Sequence, residues 1–393
     1  MHTVVTAARL LTPQTEIERP VVTIEDGSIT GIFSSGALEV PTNAEHLDFP
    51  DATLAPAFVD VHNHGALGHD VMEGTPEALG AIGKFLAAHG VGAYLATTMT
   101  APVDAILRAL DGIAQQMEKQ EKAFASGGAD GRARILGVHL EGPFLSHSKR
   151  GVHPAENLQA PSVEMLERFW QAARGHIMLM TVAPEVPGAT EFIQAATRLG
   201  IRISIGHSNA DTQEALAGID AGAVSATHTF NAMRALDHRD PGILGVVLDR
   251  SDLFAELICD GIHVDPYLVR LFYKAKSADR GILITDALSA TGMPDGVYKL
   301  ADLEVTVKDG HCTNAGVLAG SVLTLDKAIR NFMKYTQAPD GVAVRYASTN
   351  PAAMLGQSSR YGELSTGRPA DIAVLSRNGE VRATLLGGVL VSA

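Results

Sequence analysis

The chain has 393 residues, 46% of them hydrophobic, and a formal charge of −13 from 31 basic and 44 acidic side chains. That length suits an α/β barrel with an accessory unit, and the apolar share excludes a disordered chain. Acidity without Lys/Arg clusters argues against a nucleic-acid surface, so an anionic ligand must be met by a few local donors rather than by a global field.

No run of 18 apolar residues is present to span a membrane. The N-terminal MHTVVTAARLLTPQTEIE lacks the basic and apolar regions of a secretory signal. The two cysteines, Cys259 and Cys312, form no CxxC pair. These features predict a cytoplasmic protein with reduced thiols.

In chain order, residues 1–54 read as short strands, with VVTIEDGSITGIF alternating around a turn at Asp26-Gly27. Eight apolar strand candidates follow: TLAPAFVDVH, GAYLATTMT, RILGVHLE, HIMLMTVAPE, IRISIGH, AVSATH, LFAELICDG and GILITDA. Amphipathic segments at 76–89, 102–119, 162–174, 189–199, 211–220 and 266–276 lie between most of them. The connection from His228 to Leu253 reads as long and irregular. After strand eight, VYKLADLEVTVKDGHCTNAGVLAG reads as an inserted hairpin before a helix starting near Ser321. From residue 355 short strands return in PADIAVLSRNGEVRATLLGGVLV. The predicted fold is α/β. A (β/α)8 TIM-like barrel occupies 55–354, and a small β-sandwich is built from 1–54 and 355–393.

Barrel active sites form at the C-terminal ends of the strands, so the polar residues there carry the chemistry. Strand one ends in His62-Asn63-His64, strand three in His139-Leu140-Glu141, strand five at His207 and strand six at His228. Strand seven ends at Asp260, with His263 just beyond, and strand eight at Asp286. His62 and His64 are two apart on a strand, so both point to one face and can share one cation. An HxH pair alone is a weak signal; four further ligand types ending later strands make a metal site the better reading. Glu141 follows an apolar run, where a carboxylate is costly to bury unless paired or metal-bound. Glu141, His207 and His228 form a His2-carboxylate set suited to Zn2+ or Fe2+. Asp286 can take a proton from an activated water and deliver it to a leaving amine. There is no GxSxG elbow, Walker A loop or GxGxxG after a strand, and neither cysteine ends a strand opposite a histidine.

The ordered blocks APAFVDVHNHG, GVHLEGPFL, RGVHPAENL, GHSNA, THTFNAMRAL, DPGILG, ICDGIHV, LITDA and VLAGS run along nearly the whole chain. In this order they resemble the N-acetylglucosamine-6-phosphate deacetylases of the amidohydrolase superfamily. The resemblance implies hydrolysis of the acetyl group of N-acetylglucosamine 6-phosphate, in amino-sugar catabolism and cell-wall sugar recycling. It implies one or two divalent ions: Glu141, His207 and His228 on the principal one, His62 and His64 on a second bridged by Glu141. It makes Asp286 the acid/base and His153 the group that polarises the acetyl carbonyl. His263 would contact sugar or phosphate, Asn231 and the backbone of Ala232 would bind phosphate, and Leu318, Ala319, Gly320 and Ser321 would line the sugar pocket. Arg239, with Arg234 and His238 as rivals, would bind phosphate across the interface of a homodimer. A cyclic-amide hydrolase or a deaminase is the nearest alternative. The carboxylated lysine common at strand four of the former has no counterpart, since no Lys occurs from Gly151 to Tyr273. A barrel kept only for binding would be expected to have lost ligands.

Overall fold

A computed structural model of the chain describes residues 2–13, 15–34, 44–125, 130–300 and 303–391. Its centre is a parallel sheet of eight strands: β1 (Phe58–Asn63), β2 (Val91–Thr98), β3 (Arg134–Glu141), β4 (Ile177–Val182), β5 (Arg202–Ile205), β6 (Ala223–Ala226), β7 (Phe254–Ile258) and β8 (Gly281–Ile284). Each pairs with its sequence neighbour. The ring closes between its first and last strands, where Asp286 N–H donates to His62 O (2.9 Å) and Asn63 bridges Ala287 in parallel. A helix follows each strand: α1 (Pro76–Ala88), α2 (Val103–Ala125), α3 (Val163–Ala172), α4 (Ala189–Arg198), α5 (Thr212–Asp220), α6 (Gly242–Asp249), α7 (Pro266–Lys276) and α8 (Leu325–Thr336). Their starts are written locally: Thr75, Ser162, Asp211 and Asp265 each accept a first-turn N–H, and Pro follows the cap in α1 and α7. Among the described residues no helix is long and apolar enough to cross a membrane.

The barrel interior is not purely apolar. His139 is wholly buried between Thr97 and Thr181, with Nε2 2.8 Å from Thr181 Oγ1. The chain continues from Thr181 to Thr227 (2.9 Å) and from Thr227 to Ser204 (2.7 Å). Burial, reinforced by the charge of His62, pushes the His139 imidazole well below its ordinary pKa. This histidine satisfies its own hydrogen bonds and supports the ring above it.

Residues from both termini form a second sheet. Its strands run in the order Val389–Val391, Val381–Leu386, Ile372–Leu375, Glu45–Pro56, His2–Leu11, Pro20–Glu25 and Ser28–Ser34. The sheet is continuous and curled. Ile29 N–H donates to Arg368 O (2.8 Å) and Ala370 N–H to Gly27 O (2.9 Å), joining the far edge to the segment entering Ile372–Leu375. Val5, Leu10, Val22, Ile29, Leu54, Ile372, Val374 and Leu385 fill the space between its two halves.

Three elements differ from the sequence-based expectation. The apolar run TLAPAFVDVH is two strands: its first part ends Glu45–Pro56 in the terminal sheet, and its second is β1. Pro56 has no N–H to continue a ladder, and Ala57 N–H turns to Asp371 O (3.0 Å). The His228–Leu253 connection contains α6, in which Gly242 and Gly245 weaken helix propensity and GILGVV offers no polar face to read. The insert after β8 is a four-stranded antiparallel sheet, Gly296–Leu300, Leu303–Lys308, His311–Asn314 and Val317–Leu318. Its helix begins at Leu325, because Ser321 is tied to the barrel end by Ser321 N–H to Asp286 O (2.8 Å).

Barrel closure also depends on Asp60, wholly buried on β1. It accepts hydrogen bonds from Thr285 Oγ1 (2.6 Å) and Thr285 N–H (3.3 Å). Burial raises its carboxyl to about 6, yet it remains mostly ionised at neutral pH. Asp60→Ala would take the acceptor from the buried Thr285 N–H and leave Thr285 Oγ1 with the longer contact to His62 O (3.2 Å), and is expected to cost about 3 kcal/mol. Calorimetry should show a lower melting temperature for Asp60→Ala; a wild-type transition would mean that other contacts close the ring.

Candidate active site

Six side chains from the sequence reading meet at the C-terminal rim. His62 and His64 come from the end of β1, Glu141 ends β3, and His207, His228 and Asp286 follow β5, β6 and β8. All are at most 9% exposed. Glu141 stands at the centre. Its Oε1 is 3.4 Å from His62 Nε2, 3.3 Å from His207 Nε2 and 3.1 Å from His228 Nε2. Its Oε2 is 3.2 Å from His64 Nε2 and 3.5 Å from His153 Nε2. Asp286 Oδ1 lies 3.4 Å from His62 Nε2 and 3.3 Å from His64 Nε2.

The backbone aims these groups inward at some cost. His207, His228 and Asp286 have φ of 47°, 25° and 50°, a left-handed region sparsely used by non-glycine residues. The strain is held by hydrogen bonds on either side: Ser146 N–H to His207 O (2.9 Å), and Ser321 N–H to Asp286 O (2.8 Å). Beyond Glu141 the chain turns through Gly142 at φ 81°, where any Cβ would overlap Thr100 Oγ1. Only glycine lets the carboxylate be presented there.

Hydrogen bonds on the far ring nitrogens set the tautomers. His207 Nδ1 faces Lys149 O (2.9 Å) and so carries the hydrogen, leaving the Nε2 lone pair toward Glu141. His62 Nδ1 faces Glu256 Oε2 (3.2 Å) and likewise carries its hydrogen. Against burial, the charges of Glu141 and Asp286 hold this ring well above its ordinary pKa, so a bound cation would take the place of the Nε2 proton. In His153 the order reverses: Thr100 N–H donates to Nδ1 (3.4 Å), so the neutral ring presents Nε2–H as a donor. Asp260 Oδ2 anchors His263 Nδ1 at 2.7 Å.

The electrostatics call for a cation. Burial alone would raise Glu141, but the charge of His62 and the bonds of His153, His207 and His228 hold it well below the usual carboxylate range. Burial likewise opposes ionisation of Asp286, and His62 and His64 outweigh it. Burial pushes His207 down to about 4, which keeps it neutral as a ligand must be. At His64 burial works downward too, but Asp286 and Glu141 raise it to about 9. Its Nε2 thus sits where positive charge is favoured. The Nδ1 atoms of His64 and His228 have no hydrogen-bond partner among the described residues. His62, His64 and Glu141 form one group whose ligand atoms lie within 4.8 Å of each other; Glu141, His207 and His228 form another. Nitrogen and carboxylate donors of this kind fit a divalent metal.

A cavity of about 410 Å3 opens over these groups. His64, Glu141, His153, His207, His228, Asn231, Ala232, His263, Asp286, Leu318 and Gly320 line it, as expected from the sequence. Ala319 and Ser321 do not: Ala319 is buried beneath the insert, and Ser321 Oγ is spent on Thr285 O (2.6 Å). Arg239 is exposed and lies outside this chain's cavity. Arg234 is paired with Asp240, and His238 is exposed beside Asp237. Sequence reading missed Glu256, Thr100, Lys149 and the apolar wall of Leu300 and Val317. Glu256 carried a visible signal, as a lone carboxylate inside the apolar run FAELI. A second cavity, of about 420 Å3, lies at the opposite end of the barrel beside Arg134, Ile135 and Tyr361, remote from these groups.

Comparison with known proteins agrees with this geometry. Residues 53–391 match the amidohydrolase family profile. An N-acetylglucosamine-6-phosphate deacetylase of Vibrio furnissii is 36% identical over 94% of this chain and 90% of its own. An N-acetylgalactosamine-6-phosphate deacetylase of Escherichia coli O157:H7 is 35% identical over the whole of both. Among solved structures, a mutant N-acetyl-D-glucosamine-6-phosphate deacetylase of Mycobacterium smegmatis, in complex with N-acetyl-D-glucosamine-6-phosphate, superposes with a TM-score of 0.91. It is 32% identical, and the match covers 100% of each chain. With a buried His/Glu/Asp rim on a closed eight-stranded barrel and relatives matched end to end, the chain belongs to the amidohydrolase family.

Proposed function

We propose that this chain hydrolyses the acetamide of N-acetylglucosamine 6-phosphate, releasing glucosamine 6-phosphate and acetate. The observation that carries the reading is the convergence of Glu141, four Nε2 atoms and the Asp286 carboxylate at one rim. It occurs in a chain that matches deacetylases of this substrate along 94% of its length. When bound, divalent ions supply Lewis-acid polarisation and a water acidic enough to attack near neutral pH. Glu141, His207 and His228 would hold the principal ion, and His62 and His64 a second that shares Glu141. Zn2+ suits these donors best, with Fe2+ as the alternative.

The chain's own residues then handle the amide. His153 Nε2–H donates to the acetyl oxygen and stabilises the charge that grows there. Asp286 takes the proton of the attacking water and passes it to the nitrogen as the C–N bond breaks, because an amide anion is too poor a leaving group. Asn231, the Ala232 backbone and His263 orient sugar and phosphate. Leu318 and Gly320 wall the sugar, with Ala319 and Ser321 supporting them from behind.

A homodimer with Arg239 donated across the interface completes the reading. Two observations support it. Arg239 is exposed and outside its own chain's cavity, although a phosphate dianion needs a strong local donor. Leu236, in the segment after β6, and Tyr267, Leu268 and Leu271, in α7, are exposed apolar side chains. A cytoplasmic setting suits the two buried thiols and a phosphorylated substrate.

The direct test measures acetate release from N-acetylglucosamine 6-phosphate, unphosphorylated N-acetylglucosamine and the 4-epimer, N-acetylgalactosamine 6-phosphate. Turnover should be greatest on the first; equal turnover on the unphosphorylated sugar would sink the assignment. Arg239→Ala is expected to raise KM for the phosphorylated sugar by about 10- to 100-fold, the worth of a charge-assisted contact. The same variant mixed with Asp286→Asn should form hybrid dimers that regain activity. Absence of complementation would place the donor within one subunit. Asp286→Asn alone should keep its ions and substrate affinity while kcat falls by at least ~10². Turnover within a few-fold of wild type would remove Asp286 from the proton path, and wholesale loss of metal would make it chiefly a ligand.

A further inference from the structure

Glu256 is a buried carboxylate at this rim that the proposed reaction does not use. It lies within β7, is wholly buried, and has an apolar residue on either side in Ala255 and Leu257. Its Oε2 is 3.2 Å from His62 Nδ1 and accepts the His228 N–H at 3.3 Å. Its Oε1 has no hydrogen-bond partner among the described residues. A buried carboxylate is expensive, and a packed apolar side chain would stabilise a barrel strand at least as well. What the charge does contribute is direction. Taking the Nδ1–H of His62 fixes that ring with its Nε2 toward His64, Glu141 and Asp286, and makes that nitrogen more basic toward a cation. His207 has only a backbone carbonyl in the corresponding role, and His64 Nδ1 has no partner.

We propose that Glu256 is a positioning residue that locks His62 onto the cation position it shares with His64, and thereby governs whether that second position is filled. The same oxygen holds the His228 amide, so Glu256 joins the second position to the strained residue of the principal one. The inference rests on the reading that His62 and His64 hold a cation.

The test titrates Zn2+ into metal-stripped wild type, Glu256→Gln, Glu256→Leu and His62→Ala, with bound zinc counted by elemental analysis. Melting curves of the stripped proteins separate folding from ion binding. Wild type should take up two ions. Glu256→Gln, nearly the same size but uncharged, should weaken the second ion by about 10- to 100-fold and leave the first in place. Glu256→Leu, where it folds, should lose the second ion. Wild-type titration of both ions by Glu256→Gln, with only a lower melting temperature, would show a merely structural carboxylate and overturn the proposal. If His62→Ala also left the stoichiometry unchanged, the paired-histidine reading would fall and take Glu256 with it. Loss of an ion in His62→Ala but not in Glu256→Gln would overturn the role of Glu256 alone.

Discussion

The Glu141 carboxylate, 3% exposed and ringed by His62, His64, His153, His207 and His228, is the constraint on which the site depends. A lone carboxylate at that depth would be driven to protonate. Here the imidazoles outweigh burial and keep it ionised. The balance works in both directions. Without Glu141, Asp286 would still face His62 and His64, but the Nε2 atoms of His207 and His228 would lose the carboxylate that they share with them. With it, the two groups of donors share one oxygen-bearing side chain and become a single electrostatic unit.

Holding such a unit together requires a frame that does not relax. The closed barrel supplies one, and its closure runs through the site itself. Asp286 N–H on His62 O joins the last strand to the first at two residues of the rim itself. Asp60 and Thr285 make a second stitch one layer below. The ring of His139, Thr181, Thr227 and Ser204 fills the interior with satisfied polar groups, so the floor under the charged rim is neither void nor apolar. Strained φ values at His207, His228 and Asp286 are sustained because neighbouring strands determine those positions more strongly than local preference does.

Much of this was legible in the sequence, and for a specific reason. In a barrel, an apolar strand followed by a polar residue places that residue on the rim, so VDVHNH, GVHLE, SIGH, ATH and LITD each announce a position in space. The features that escaped lack such a marker. Glu256 sits inside its strand, and the sequence does not say which face it takes. Lys149 and Thr100 act through a carbonyl, an amide and a hydroxyl on loops. The helix Gly242–Asp249 has no polar face, and its glycines read as loop. The first strand was merged with its predecessor because Pro56-Ala57 is apolar on both sides of the break. Ala319 and Ser321 were expected in the cavity wall from their block. Adjacency along the chain did not reveal that Ser321 Oγ turns to Thr285 O.

The remaining question of selectivity divides along the same architectural line. Relatives named for two epimeric substrates match this chain at 36% and 35% identity. The acetamide is common to both sugars, so under the proposed assignment the Glu141 rim, His153 and Asp286 would meet the same chemistry in either. Discrimination therefore has to reside in parts of the lining that the amide does not reach. In this chain those parts come from outside the barrel strands. The insert supplies Leu300, Val317 and Leu318, the segment after β3 supplies Ser148, Lys149 and Val152, and the segment after β6 supplies Asn231 and Ala232. Lys149 is the only lysine or arginine among the described residues of that lining, in a chain of net charge −13. A dianionic ligand is then recognised against the field of the whole protein by donors brought to one place. Loops can change those donors without disturbing the buried charges beneath them.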